Sequence, residues 1–344
     1  MKIAQVSPLD ESVPPHGYGG IERIVSYLTE ELVRLGEDVT LFASGDSATE
    51  AKLIPIWDQA TRLDADVTDT TPLHLAALAE VLHHAGELDI VHFHLDWIHF
   101  PAIRQEPIRS LTTLHNRIDL KELTPLFDEF QDIPVVSISQ AQQQFAPALN
   151  WMGTVYHGLP LDAYDFHDKP SDYIAFLGRI SPDKGVEEAI EIADGAGIRL
   201  RIAAKLDQDQ QAYFETNVQP HVDAGRVEFI GEVNEEDKKG FLGNAIALVF
   251  PINWPEPFGL VMIESLACGT PVVAFRRGSV PEVLEDGTTG FICEDVESAI
   301  DRMGNIDELD RRTCGQQFEE RFSVTRMAKD YLKIYNRLLV KSGR

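Results

Sequence analysis

The chain has 344 residues, 44% of them hydrophobic, and a formal charge of −26 at pH 7. It is too long for one ordinary core and comfortable for two domains, with the composition of a globular protein. The charge excludes nucleic acid and anionic lipid surfaces as large-area partners, but not a small anion held by a few local cations. No apolar stretch reaches the roughly 20 residues needed to span a bilayer. The opening Met1–Val6 reads as a strand and not as a secretion signal, so a soluble, cytoplasmic protein without membrane insertion is expected. Cys268, Cys293 and Cys314 form no close pair, which suggests neither a disulfide framework nor a zinc ribbon.

Short β-branched runs alternate with helical patterns, the mark of parallel sheets with crossover helices. The first strand leads through "HGYGG" (His16–Gly20) into a helix from about Ile21. Ile21, Ile24, Val25, Leu28, Leu32 and Leu35 share one face of that helix, and Gly36 stands where its cap belongs. A dinucleotide fingerprint would need glycine at 17, 19 and 22, and residue 22 is Glu. Gly19 and Gly20 still allow the backbone to approach a phosphate or sugar closely. Strands follow at about Val39–Ala43, Ile90–Phe93, Leu111–Leu114 and Val135–Ile138. His92, His94 and Asp96 fall on one strand face, but without a further clear ligand no metal site is assigned. His115, in "TTLHN", sits at a strand's carboxyl end, either as a hydrogen-bonded structural residue or at the edge of a cleft.

The stretch 156–172, "YHGLPLDAYDFHDKPSD", reads as a polar linker, with a boundary near Ala163. A second strand set then begins at Tyr173–Gly178 and continues through "RLRIAA", "VEFIG", "IALVF" and "PVVAF". The expected fold class is α/β: two Rossmann-like doubly wound domains, 1–163 and 164–324, across a cleft. An amphipathic helix in 325–344 returns to the first domain.

"GRISPDKG" (Gly178–Gly185) places Arg179 and Lys184 between a strand and a helix N-terminus. That arrangement suits a diphosphate: a guanidinium fork, a point charge and oriented N–H groups. Glu256 lies in the proline-stiffened "WPEPFG", ahead of a helical run, Phe258 to Cys268. It either favours the positive end of that helix or holds sugar hydroxyls while the Phe258, Gly259 and Leu260 amides face an anion. Glu264 sits inside the apolar "LVMIESLAC". Burying a carboxylate costs several kcal/mol unless strong donors meet it. Those donors are either a structural Arg or the vicinal diol of a ribose.

Together and in order, these stretches resemble the retaining glycosyltransferases of the GT-B fold, in family four, which includes the bacterial group 1 transferases. The most specific element is Glu256 and Glu264, with seven residues between them in "EPFGLVMIE", and "ACGTPVVA" after it. "GRISPDKG", the glycine turn, "TLHN" and "VYHGLP" accompany it across nearly the whole chain. The N-terminal "QVSPLDESVPPHGYGGIERIV" is most similar to a branch with an avilamycin-type antibiotic transferase.

The resemblance implies that Arg179 and Lys184 grip the donor diphosphate and Glu264 the ribose. Glu256 and the backbone of Phe258, Gly259 and Leu260 hold the sugar and its phosphate. Gly19 and Gly20 belong to the turn that approaches the diphosphate, His115 contacts the transferred sugar, and the turn near Val233 meets the base. It also implies no metal and no cofactor, the partners being a nucleotide sugar, with UDP expected, and a hydroxyl acceptor that the sequence does not identify. The pairs Asp64–Asp66 and Asp207–Asp209 look like metal-binding pairs of other sugar transferases. In so acidic a chain such pairs arise by chance and carry no weight. Two alternatives remain open, an NAD-dependent oxidoreductase and a non-catalytic sugar-nucleotide-binding protein.

Overall fold

A computed structural model describes residues 1–106, 108–206 and 208–341. The chain folds as two compact units, the first made of Met1–Gly158 with the segment from Val324 onward, the second of Leu159–Ser323.

The first unit is built on seven parallel strands: β1 (Lys2–Val6), β2 (Asp38–Ala43), β3 (Lys52–Pro55), β4 (Ile90–Phe93), β5 (Ser110–Thr113), β6 (Pro134–Ser137) and β7 (Asn150–Thr154). Their spatial order is β3-β2-β1-β4-β5-β6-β7. The second unit has six, β8 (Tyr173–Arg179), β9 (Arg199–Lys205), β10 (Val227–Gly231), β11 (Leu248–Phe250), β12 (Val272–Phe275) and β13 (Gly290–Cys293). They run parallel in the order β10-β9-β8-β11-β12-β13. Each sheet reverses its strand order once, between β1 and β4 and between β8 and β11. At such switch points the loops beyond the carboxyl ends diverge and leave room for a ligand.

Strands β3, β7 and β13 are absent from the sequence reading. All three are sheet edges, and β3 and β7 are only partly buried, so neither carries the continuous apolar run of a central parallel strand. The helical run expected over Phe258–Cys268 is the shorter Leu260–Ala267.

The first helix, Gly20–Arg34, buries Ile24, Val25, Leu28 and Leu32. The last, Val324–Lys341, packs against it within the first unit. Arg326 donates to the carbonyls of Tyr156 (2.8 Å) and His157 (2.7 Å), and Arg337 to that of Met152 (2.9 Å).

The stretch read as a linker is largely part of the second unit. His167 N–H donates to the Cys268 carbonyl at 3.0 Å, and Arg311 donates to the carbonyls of His167, Ala245 and Gly243. Tyr164 is buried. The backbone of this stretch is tied to a neighbouring surface at His167, while Asp162, Asp165, Asp168, Lys169, Ser171 and Asp172 stay exposed, which accounts for its polar sequence.

Candidate functional site

In the second unit the two loops flanking the β8/β11 switch point carry most of the predicted residues. Arg179 ends β8, exposed, and its guanidinium makes no ion pair with a described residue. The loop then turns through Ser181–Gly185. Gly185 adopts φ 74°, and a Cβ there would stand 2.0 Å from the Pro251 carbonyl oxygen, so only glycine fits. The Asn253 N–H donates to the Asp183 carbonyl at 2.9 Å. These two contacts stitch the β8 loop to the β11 loop. Consequently Lys184 Nζ donates to Glu256 Oε2 at 2.9 Å and lies over the Trp254 ring, 4.7 Å from its centroid.

The β11 loop is braced from its other side: Ser279 N–H donates to the Glu256 carbonyl (2.9 Å) and Ser279 Oγ to the Phe258 carbonyl (2.9 Å). Phe258 is buried, Gly259 caps the helix and Leu260 opens it. A helix start has no intrahelical acceptors for its first N–H groups. Those of Gly259 and Leu260 find none elsewhere among the described residues.

Glu264, in the middle of that helix, is buried. Its protein donors are a lysine and a tyrosine and not the arginine weighed from the sequence. Oε1 accepts from Lys238 Nζ at 2.6 Å and from Tyr164 Oη at 2.9 Å. Oε2 has no donor among the described residues, which leaves one carboxylate oxygen for a further partner. Burial by itself pulls the Lys238 ammonium down, but Glu264 and Glu235 (2.7 Å) outweigh it and hold it above the usual lysine value. Val233 precedes Asn234, the cap of the helix Glu235–Gly243 that delivers Lys238. The structure thus brings together Lys184 with Glu256, and Glu264 with Lys238 and Tyr164. Lys238 and Tyr164 escaped the sequence reading, one lying in an acidic, solvated-looking helix and the other in the expected linker.

Gly19, Gly20 and His115 lie in the first unit, both segments at the carboxyl edge of its sheet. Gly19 caps the first helix and Gly20 is its first residue. Glu22, where a fingerprint glycine would stand, is buried, and burial pushes its carboxyl up to about 7. His115 follows β5 and is almost fully buried. Its Nε2 stands 2.8 Å from Nδ1 of His94, and its ring stacks on His157. The adjacent Asp96 accepts from the His115 N–H (3.2 Å) and from Asn116 Nδ2 (2.6 Å). Burial pushes the His115 imidazole down to about 3.

Among the described residues, no three His, Cys, Asp or Glu side chains are grouped to hold a metal. His92 and His94 are bonded to hydroxyl, amide and imidazole groups instead. Asp64 accepts from Trp57 Nε1 at 3.0 Å, and Asp207 lies outside the described residues. No helix among the described residues is long and apolar enough to cross a membrane.

Two family descriptions match nearly end to end: "Glycosyltransferase Family 4" over residues 18–152 and "Glycosyl transferases group 1" over 164–311. The glycogen synthase of Mycobacterium tuberculosis is 25% identical over 349 residues, covering 85% of this chain and 82% of its own. A glycosyltransferase involved in avilamycin A biosynthesis superposes with a TM-score of 0.76 at 24% identity, covering 99% of this chain and 98% of the other. A protein from Anabaena solved with UDP and glucose gives 0.72 at 18% identity, covering 98% and 100%. With the two parallel sheets and the loops at their switch points, these matches make the chain a glycosyltransferase of the GT-B fold that belongs to family 4.

Proposed function

We propose that the enzyme moves a hexose from a UDP-sugar to a hydroxyl acceptor with retention of anomeric configuration, needing neither metal nor cofactor. The observation that carries this reading is the stitched pair of loops at the β8/β11 switch point. It sets a lysine able to turn to a diphosphate directly against a carboxylate able to hold sugar hydroxyls, Lys184 on Glu256 at 2.9 Å. Arg179 and the Gly259 and Leu260 N–H groups supply further donors to phosphate oxygens. Glu264, with Lys238 and Tyr164 fixing one of its oxygens, offers the other to a ribose diol, and Val233 lies toward the base. The UDP bound to the Anabaena protein supports the choice of nucleotide.

In the reaction, charge grows on the departing diphosphate, where Arg179, Lys184 and the helix start stabilise it. No carboxylate is assigned the role of nucleophile beneath the anomeric carbon, nor of base opposite the leaving group. Glu256 binds hydroxyls of the sugar and His115 contacts the same sugar. The acceptor oxygen therefore attacks from the leaving-group face of an oxocarbenium-like transition state. A phosphate oxygen takes the acceptor's proton as the sugar–phosphate bond breaks.

Proton NMR of the fresh product from an α-linked UDP-hexose tests this directly. An α-linked product, formed at full rate in EDTA, is expected. A β-linked product would sink the same-face mechanism.

A further inference from the structure

The centre of the first sheet is unusually polar. Gln5 on β1, His92 on β4, His94 directly after β4 and Thr113 on β5 are all buried there. They form one hydrogen-bonded chain. Gln5 turns its Oε1 to His94 Nε2 (2.8 Å) and its Nε2 to Tyr335 Oη (3.2 Å). Tyr335 Oη meets His92 Nδ1 (2.8 Å), His92 Nε2 meets Thr113 Oγ1 (2.8 Å), and Thr113 Oγ1 meets Tyr331 Oη (2.9 Å). At the other end His94 Nδ1 meets His115 Nε2 at 2.8 Å.

Such a chain has a direction. An amide oxygen can only accept, so the proton between Gln5 and His94 is on His94 Nε2. Burial pushes both imidazoles well below their usual range, so each ring carries a single proton. With its proton on Nε2, His94 has a bare Nδ1, which can only accept. His115 must then donate from Nε2, and its own Nδ1 is left bare. No described residue hydrogen-bonds that Nδ1. Inverting the outcome would require Gln5 to turn its amide over and each neutral ring to exchange its tautomer. Tyr335 and Tyr331 lie on the helix Val324–Lys341, so the last helix closes the chain that begins at the site.

We propose that Gln5 and His94 are positioning residues that lock His115 as its Nε2–H tautomer, presenting Nδ1 as a hydrogen-bond acceptor to a hydroxyl of the transferred sugar. The sugar contact rests on the function proposed above; the tautomer does not. An acceptor nitrogen takes a hydrogen bond from a hydroxyl and gains nothing from a group without a proton to donate. The network therefore reads for a hydroxyl at that point of the donor sugar.

The test uses the whole protein with ¹⁵N-labelled histidine rings, in two-bond proton–nitrogen spectra at pH 7.5. The His115 signals are identified by their loss in His115→Ala. A neutral ring protonated on Nε2 is expected; protonation on Nδ1, or an even mixture of the two tautomers, overturns the proposal. His94→Phe is expected to release His115 into a mixture and to lower kcat roughly tenfold with UDP affinity unchanged. His115 remaining wholly Nε2-protonated in that variant overturns the role of His94. The wild-type spectrum decides the tautomer even where His94→Phe does not fold. Full activity in His115→Ala would instead retire the sugar contact while leaving the locked tautomer in place, so the two failures are distinct.

Discussion

Glu264 shows how a single charged residue survives in an apolar helix. Its Oε1 takes two hydrogen bonds from Lys238 and Tyr164, and Oε2 is left for a ligand. Glu264→Gln keeps the shape but exchanges a charged acceptor for a neutral amide. Lys238 retains Glu235 in that variant, so the fold is expected to hold. Hydrogen bonds to charged groups contribute roughly 1.5 to 3 kcal/mol, so UDP affinity should fall about ten- to a hundredfold. The loss should be much smaller for a 2′,3′-dideoxyribose analogue; equal losses, measured by calorimetry, would make Glu264 structural. Arg179→Ala and Lys184→Ala should weaken UDP far more than uridine and also slow turnover. Of the two, Lys184→Ala additionally strips Glu256 of its cation. Unchanged diphosphate binding in both would remove them from the phosphate site.

At the scale of elements, the site depends on two loops being held in register more than on any one side chain. Gly185 is the pivot, because its missing Cβ admits the Pro251 carbonyl. Gly185→Ala combines backbone strain with a direct clash, so it should cost more than about 1 kcal/mol and loosen UDP binding. Gly197 also has a positive φ (67°), but a Cβ added there would meet nothing within 4 Å. Gly197→Ala should therefore lower the melting temperature without touching UDP affinity. Melting curves and UDP titrations of the two variants side by side make the comparison. Identical UDP affinity in both would show that the stitched loops do not shape the site.

Across the whole molecule, the buried histidines make the first unit the acid-sensitive one. His92, His94, His99, His115 and His157 all lie there, each held below its usual range by burial. For His99 and His115 the folded value is about 3. Between pH 6.5 and 3 the unfolded chain binds protons that the folded one does not. Each such histidine then costs about 1.4 kcal/mol of stability per pH unit. Glu22 acts in the opposite sense. Its folded value of about 7 lies above its unfolded one, so it favours the fold below that range and loses this as pH rises through 7. The raised Asp96 carboxyl opposes the histidines in the same way. Stability should fall from pH 7.5 to 5.5, and fall further in Glu22→Gln. Hydrogen exchange by mass spectrometry should show β1, β4 and β5 losing protection before β8, β11 and β12. Simultaneous loss in both units would contradict this.

The strand–helix alternation, the two sheets and the loops at their strand ends were legible from the residues. Central parallel strands are buried on both faces and read as mostly apolar runs, and glycine turns and basic loops between a strand and a helix mark where those strands end. The edge strands β3 and β7 were not legible, because a half-exposed strand need not carry that signature, and β13, though mostly buried, is a run of only four residues, Gly290–Cys293. The sequence also supplied Arg179, Lys184, Glu256 and Glu264 as candidates, through type and spacing. It did not supply their partners. Tyr164 and Lys238 reach Glu264 from 100 and 26 positions away, and Tyr335 reaches His92 from 243. Local pattern fixes which face of an element is apolar. Which buried donor meets which acceptor is settled only when distant segments pack, because a hydrogen bond needs its two atoms within about 3 Å and a chain order contains no such distance.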